Sequence, residues 1–270
     1  MGRASSLSTS PLLELDASET LASLLARVAE TKSYVALVTS SGGCVGTVSL
    51  RGALSFLLKY SSSLSEALAE RVESLAEEPR YVLSADAGLD DLRRLILRMR
   101  GYEPVVVLRG DRPVATITLG DMLTSLSFVR SSISAAVSRA RSLGPLVAPN
   151  TTLKGCLARM LEEGARHAAV HRKGKVLGVV GFLDIVGCLM SRSTLRHVEL
   201  GVDGYFFYVT CSTIMRRRFN FVVRGEYESA YDLLRRDEYL VVVDDDRRLV
   251  KFLSDAEAFA LLQRVLRRRV

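Results

Sequence analysis

One structural pattern occurs four times along the 270-residue chain. A short strand rich in β-branched residues, a helix, a polar hairpin and a second helix recur, with the second helix beginning near Gly52, Asp121, Asp184 and Asp255. These positions are 63 to 71 residues apart, a period that fits a compact βαββα unit and exceeds that of a solenoid repeat. The chain is therefore expected to contain four copies of one scaffold.

The third copy shows the pattern most completely. Five apolar residues recur at i, i+3, i+4, i+7 and i+8, which places them on one face of a helix: Leu153, Cys156, Leu157, Met160 and Leu161. Strands over 168–170 and 176–180 flank a polar turn, so a hairpin is predicted there. The fourth copy diverges most, and an unusual segment at 205–223 precedes its helix.

The copies are expected to pair into two domains. Residues 1–130 would form the first pair, with repeats at about 11–60 and 80–128, and residues 146–270 the second, with repeats at about 146–192 and 205–266. The intervening residues 131–145 are polar and end in Gly-Pro, which is typical of a linker.

Composition limits the class of protein. The apolar fraction of 48% suits two domains that each bury a core. Four widely spaced cysteines without a Cys-x-x-Cys motif indicate a reducing compartment, and no apolar segment has the length of a signal peptide or membrane span. A cytoplasmic protein is expected, and its scarce amides, Asn150, Asn220 and Gln263, suggest a thermophile source.

Segments of copies two and three resemble the cystathionine β-synthase (CBS) domain family. They are LVAPNTTL (146–153) and GKVLGVVGFLDI (174–185) in copy three, and EPVVV (103–107) and ATITLGDML (115–123) in copy two. The resemblance covers almost the whole chain and rests on the order and repetition of these motifs. It implies an α+β fold of four βαββα repeats paired into two pseudo-two-fold modules.

The resemblance also implies a regulatory ligand-binding function without catalysis. The implied ligand is an adenosine-containing nucleotide (AMP, ADP, ATP or S-adenosylmethionine) held in clefts between paired repeats, which would modulate an unknown protein partner. Paired modules of this family often stack, so a homodimer is expected. No covalently bound cofactor and no metal are expected.

A hydroxyl three residues before an aspartate marks a competent half-site in the family. Copy two keeps both groups, with Thr118 expected to contact phosphate and Asp121 the ribose diol, since a carboxylate can accept two hydrogen bonds from neighbouring hydroxyls. Position in the repeat implies that the purine is contacted by residues near the start of each repeat and its hairpin: Val82, Leu83, Ser84, Tyr102, Pro104, Val147, Ala148, Thr151 and His167.

The other copies keep less of this pair. Copies three and four have Asp184 and Asp255, but Gly181 and Phe252 stand at the hydroxyl position, and copy one has Gly52 in place of the carboxylate. A purely structural role is open for every one of these aspartates, because aspartate in the first turn stabilises a helix by roughly 0.5–2 kcal/mol without any ligand.

Two other functional classes stay open. No nucleotide-binding loop or nucleophile elbow motif is found, and His167 and His171 on one strand would lie about 13 Å apart at roughly 3.3 Å per residue, too far to share a metal ion. Arginine clusters at 216–218, beside Phe219 and Phe221, and at 267–269 would suit nucleic-acid phosphates in a chain of net charge +7. A solvated surface or a network of ion pairs is the favoured explanation, because the charge is spread along the chain with acidic residues nearby. The third class is a scaffold with degenerate clefts that only oligomerises or docks a partner.

Overall fold

The protein folds into four βαββα repeats, as the sequence predicts. The computed structural model describes residues 12–41, 43–141, 143–202 and 204–268. The first repeat comprises β1 (Leu13–Asp16), α1 (Leu21–Thr31), β2 (Val35–Ser40), β3 (Gly43–Ser49) and α2 (Leu50–Lys59), and the second comprises β4 (Val82–Ser84), α4 (Leu89–Arg98), β5 (Val105–Arg109), β6 (Arg112–Ile117) and α5 (Leu119–Ser125). Helix α3 (Leu64–Ala69) connects them, and helix α6 (Arg130–Arg139) follows the second repeat.

The second half of the chain repeats this order. The third repeat comprises β7 (Leu146–Val147), α7 (Leu153–Glu162), β8 (His167–Arg172), β9 (Lys175–Gly181) and α8 (Phe182–Leu189). Helices α9 (Arg192–Glu199), α10 (Tyr205–Tyr208) and α11 (Cys211–Ile214) lead to the fourth repeat, which comprises β10 (Phe221–Val223), α12 (Ala230–Asp237), β11 (Leu240–Val243), β12 (Leu249–Leu253) and α13 (Asp255–Arg267). Among the described residues, no helix is both long and apolar enough to span a bilayer.

The third repeat illustrates why these elements form. Thr152 caps α7 by accepting a hydrogen bond from the Gly155 N–H at 3.3 Å, and four of the five predicted apolar residues are buried while Leu161 is partly buried. Gly174 adopts a φ of 77° at the hairpin turn, a conformation that favours glycine. Local sequence signals therefore determine this unit.

Every repeat contains a three-stranded sheet of the same topology. The first strand runs parallel to the second, which pairs antiparallel with the third. The third strand ends at, or directly before, the residue that caps the following helix, which is Ser49, Thr118, Gly181 or Ser254. The carboxylate of a half-site is expected three residues after this cap. In the four repeats that position is occupied by Gly52, Asp121, Asp184 and Glu257.

This register corrects the sequence-based alignment of the fourth repeat. Asp255 was expected to be the equivalent of Asp121, with Phe252 at the hydroxyl position. Instead, Ser254 caps α13 and the Glu257 Oε2 atom accepts a hydrogen bond from the Ser254 N–H at 2.8 Å, so Asp255 is the first residue of the helix. The fourth repeat keeps a hydroxyl and a carboxylate at the two site positions, with glutamate replacing aspartate.

The apolar cores join the two halves of the chain. Helices α1 and α2 pack against α8 and α7 in one core, and α4 and α5 pack with α13 and α12 in another. A smaller cluster, which includes Ala169, Val179, Val241 and Phe252, joins the sheets of repeats three and four. Residues 131–145 are not a simple tether, because α6 places Ile133 and Val137 in the second core. The division into two paired modules therefore stays a prediction.

Candidate functional site

A cavity of about 570 Å³ lies where residues of all four repeats meet. Four cationic side chains line it, and they come from the end of α1, the segment before β10 and the end of α12: Lys32, Arg216, Arg235 and Arg236. Acidic residues line the same cavity: Asp121, Asp184, Asp237 and Glu238. We call this the central cavity. Its volume falls within the range of small-molecule sites.

The start of α5 contributes the predicted pair Thr118 and Asp121. The Asp121 Oδ2 atom accepts hydrogen bonds from the Thr118 N–H at 2.9 Å and the Thr118 hydroxyl at 3.0 Å, while the Thr118 Oγ1 atom accepts one from the Asp121 N–H at 3.3 Å. Only 2% of Asp121 is exposed. These contacts are a capping box, the structural role that the sequence left open.

Asp184 lies at the equivalent position of α8 and is more accessible, with 18% of its side chain exposed. Its Oδ2 atom accepts hydrogen bonds from the Gly181 N–H at 2.7 Å and the Arg216 Nε–H at 3.0 Å. The backbone of Arg216 is itself fixed, because it exchanges two hydrogen bonds with Val179 on the edge of β9.

The hydroxyl position of the third repeat is sterically closed. A Cβ atom added to Gly181 would lie 2.8 Å from the His167 Cδ2 atom and 3.3 Å from the guanidinium of Arg216. His167 is buried against the Tyr239 ring, with centroids 5.0 Å apart. Glycine is therefore required here because an aromatic side chain occupies the space that a serine or threonine would need.

The start of α5 touches the end of α12. Glu238 directly follows α12 and adopts a left-handed φ of 59°. Its Oε1 atom accepts a hydrogen bond from the Gly120 N–H at 3.0 Å. A Cβ atom on Gly120 would lie 2.5 Å from the carbonyl oxygen of Arg235. This close approach brings Arg235 and Arg236 into the wall of the central cavity beside Asp121.

A buried ionic cluster lies beneath the cavity. The guanidinium of Arg166 is held between the rings of Tyr34 and Tyr102, 4.1 Å and 4.5 Å from their centroids. It pairs with Glu238 and, through Nε at 2.9 Å, with Asp255. We call these five residues the Arg166 cluster, and they come from all four repeats.

The charges of the Arg166 cluster stabilise one another. Burial alone would raise the pKa of Asp255, but the charge of Arg166, the nearby ring of His167 and the hydrogen bond from the Arg166 backbone bring it well below its usual range. Burial alone would lower the pKa of Arg166, but Glu238, with Tyr102 and Asp255, raises it well above its usual range. Burial raises the pKa of Tyr34 to about 12. The ion pairs therefore stay charged near neutral pH.

Comparison with solved structures identifies the architecture. No protein-family model matches the sequence, and no curated protein matches it in sequence. Protein MJ1225 from Methanocaldococcus jannaschii, proposed to be an archaeal homologue of g-AMPK, is 18% identical, with a TM-score of 0.77 over 96% of this chain and 99% of that one. This chain has the tandem CBS-repeat fold.

Two further matches have lower scores. An uncharacterised conserved protein from Pyrococcus horikoshii shares the fold over 97% of this chain and 99% of its own, with 16% identity and a TM-score of 0.54. The CBS-pair protein CBSX2 from Arabidopsis thaliana, 19% identical, covers 48% of this chain and 96% of its own, with a TM-score of 0.38. At such identities the similarity establishes the fold alone.

The structure brings some of the predicted CBS site residues together and separates others. Thr118, Asp121, Asp184 and His167 line the central cavity. Tyr102 and Asp255 belong to the Arg166 cluster, and both Asp255 oxygens already accept hydrogen bonds from Arg166. The geometry therefore gives Asp255 a structural role, although ligand contact by any of these residues stays a prediction.

The predicted purine contacts do not form one surface. Val82, Leu83 and Ser84 line a separate shallow groove beside α4, Val147 is buried in the first core, and the Thr151 hydroxyl accepts a hydrogen bond from the Ala148 N–H at 3.1 Å within a turn. Pro104 lies half-buried directly before β5. Their assignment to purine binding stays a prediction.

Sequence reasoning missed the cations of the central cavity and the Arg166 cluster. One signal was available in the sequence. In each repeat, one residue near the start of the second strand lies opposite the residue that caps the second helix. The position directly before it is occupied by Tyr34, Arg166 and Glu238 in repeats one, three and four. Of these three residues, Arg166 and Glu238 carry opposite charges, so their equivalent positions in repeats that pack together indicate an ion pair. Arg216 was noticed only as part of an arginine cluster.

Proposed function

We propose that this protein is a regulatory protein that binds an adenosine-containing nucleotide in the central cavity and thereby modulates a partner protein. The observation that carries the proposal is the set of four cations, drawn from repeats far apart in sequence, that line one cavity together with Asp121 and Asp184. The full-length structural match to a proposed homologue of g-AMPK supports a regulatory role.

The phosphates would bind the arginines of the cavity. Arg216 and Arg236 each pair with an aspartate, at 3.0 Å in both cases; the arginine side chains are 43% and 56% exposed and the aspartates 18% each. Pairs in which the arginine is exposed contribute little stability, and a phosphate in the cavity would give the arginine a new partner of the same charge. Arginine binds phosphate well because its planar donors match two oxygens at once.

The ribose would bind Asp184 in preference to Asp121. Asp184 lines the cavity and is partly exposed to it. If Arg216 moved to a phosphate, the Oδ2 atom of Asp184 could accept a hydrogen bond from a ribose hydroxyl in its place. Asp121 is buried and already accepts two hydrogen bonds from Thr118. The sequence alone favoured the half-site of copy two, whereas we propose that the ribose binds in copy three.

Calorimetric titration with AMP, ADP, ATP and S-adenosylmethionine tests the proposal. Affinity should increase with the number of phosphates, and S-adenosylmethionine, which has none and carries a positive charge, should bind weakest. The double substitution Arg235→Gln and Arg236→Gln should weaken ATP binding at least tenfold, since hydrogen bonds to charged groups contribute about 1.5–3 kcal/mol.

The matched control is Arg264→Gln with Arg267→Gln, which removes the same charge from the exposed surface of α13. It should leave the affinity for ATP within about twofold, because exposed charges far from a site are screened by salt. Equal weakening by both double variants would contradict binding in the central cavity, as would the absence of heat with every nucleotide.

A scaffold with degenerate clefts is the second candidate function. It is favoured by one observation: each of the three candidate aspartates already accepts hydrogen bonds from protein groups. Thermal unfolding separates the two functions, because a ligand at about 100 times its Kd stabilises the folded state by about 2.7 kcal/mol. An unchanged Tm with all four ligands at millimolar concentration would favour the scaffold.

A further inference from the structure

A second cleft, of about 540 Å³, lies at the hairpin end of repeats three and four, away from the helix starts. Three arginines line it together with aromatic and apolar side chains: Arg217, Arg218, Arg247, Phe219, Phe221, Val176, Leu177 and Val243, with Asn220. We call this the arginine cleft. Unlike the central cavity, it has no aspartate or glutamate among its described lining residues.

An accessible aromatic ring forms part of the arginine cleft. Phe221 is 37% exposed although it begins strand β10, and the ring of Phe219 lies 6.4 Å from it. The guanidinium of Arg247 lies 5.6 Å from the Phe221 centroid. An exposed ring flanked by guanidinium groups offers both a stacking surface and positive charge.

Backbone contacts fix Arg247 and the residue directly before Arg217. Arg247 adopts a left-handed φ of 59° in the β11–β12 turn, which is closed by a hydrogen bond from its own N–H to the Asp244 carbonyl at 3.0 Å. Arg217 and Arg218 follow directly on Arg216, whose backbone is paired with β9. None of the ion pairs between described residues involves Arg217, Arg218 or Arg247. Their charges are therefore available to an anionic ligand.

Positive charge continues beyond the arginine cleft. The hairpins of repeats three and four are joined by a β-bridge between Lys175 and Arg248 and by a hydrogen bond from the Leu249 N–H to the Gly174 carbonyl at 2.7 Å. Lys175 and Arg248 are both exposed. The exposed carboxylates of 245–246 at the tip of the same turn limit the basic surface there. A polyanion can contact these cations of both hairpins and the arginines of the cleft at the same time.

We propose that the arginine cleft binds single-stranded nucleic acid, with one base stacked on Phe221 and neighbouring phosphates paired with Arg217, Arg218 and Arg247. The cleft has the volume of a site for one nucleotide, and stacking requires a base that is free of a duplex. The arginines explain affinity without sequence preference, because phosphate contacts carry no sequence information. The proposal is independent of nucleotide binding in the central cavity.

Fluorescence anisotropy with the full chain and a labelled oligothymidylate of about twelve nucleotides tests the proposal, with salt varied around the physiological range. Three phosphate contacts predict a slope of log K against log salt of about −2, at about −0.7 per contact for single strands. The substitution Arg217→Gln with Arg218→Gln should reduce the slope by about 1.4. Phe221→Leu should weaken binding about fivefold or more with the slope unchanged.

The control again is Arg264→Gln with Arg267→Gln, which removes the same charge elsewhere and should alter neither slope nor affinity beyond about twofold. A duplex of equal length should bind more weakly, and excess AMP should not displace the oligonucleotide. The proposal is wrong if both double variants weaken binding equally, if the duplex binds as tightly, or if Phe221→Leu has no effect. Displacement by AMP would reassign the oligonucleotide to the central cavity.

Discussion

Removing the buried cation at the centre of the four repeats should destabilise the protein more than any substitution of a surface arginine. The Arg166 side chain is 5% exposed, and the side chains of its partners, Glu238 and Asp255, are 11% and 0% exposed. Replacement by methionine, Arg166→Met, keeps much of the volume between the two tyrosine rings. It leaves two carboxylates buried without their counter-ion.

The magnitude follows from this burial. Breaking a buried ion pair by removing one partner costs about 3–5 kcal/mol, because the remaining charge is desolvated without compensation. At roughly 2 °C per kcal/mol for a protein of this size, we expect the Tm to fall by about 6–10 °C. The triple variant Arg166→Met, Glu238→Gln, Asp255→Asn should recover most of this loss, since neutral groups avoid the desolvation cost.

Urea unfolding and calorimetry of these variants provide the measurement, with Arg94→Gln as the control. Arg94 makes an ion pair with Asp91 at 2.6 Å, but both side chains are exposed, so the loss should stay below about 1 kcal/mol. The reasoning would be refuted if Arg166→Met were as stable as the control. It would also be refuted if the triple variant were no more stable than Arg166→Met alone.

Two further predictions concern pH and backbone packing. Because the pKa of Asp255 in the folded protein lies well below its usual range, its contribution to stability is present above about pH 4 and is lost as pH falls further. Asp255→Asn should therefore unfold at a urea midpoint that changes less between pH 5 and pH 3 than that of the wild type. Gly120→Ala should destabilise the protein by about 1–3 kcal/mol, because the new Cβ atom would lie 2.5 Å from a carbonyl oxygen of α12. Gly187→Ala in α8 is the control, since its Cβ atom would have no neighbouring atom within 4 Å, and it should stabilise the protein by about 0.5–1 kcal/mol. Equal effects of the two alanines in urea unfolding would contradict the close approach.

The repeat architecture could be predicted because its signals are local. The apolar positions of α7 and the turn glycine at 174 each act within a few residues, and the same order occurs four times. The register of the fourth repeat could not be predicted in this way. Aspartate is favoured at the first position of a helix as well as the third, so the prediction aligned Asp255 with Asp121, whereas the end of β12 aligns Glu257 with it.

The candidate site could be predicted only in part, for a different reason. Thr118 and Asp121 are close in sequence, and their pairing follows from a recognisable motif. The cations of the central cavity come from positions as far apart as Lys32 and Arg236, and nothing in the local sequence indicates that they meet. Their convergence depends on helix contacts between the two halves of the chain, which are long-range and have no local pattern.

The capping contact of Asp184 prepares it for the proposed nucleotide site. A carboxylate that caps its own helix is oriented without any ligand, so Asp184 already faces the cavity before a nucleotide enters. The second partner of Asp184 is Arg216, whose backbone is paired with β9. The side chain of Arg216 can therefore move to a phosphate while its backbone stays in place. Because the Arg216 backbone stays paired with β9 during such a move, the neighbouring Arg217 keeps its place in the arginine cleft, and the two proposed sites can be filled independently.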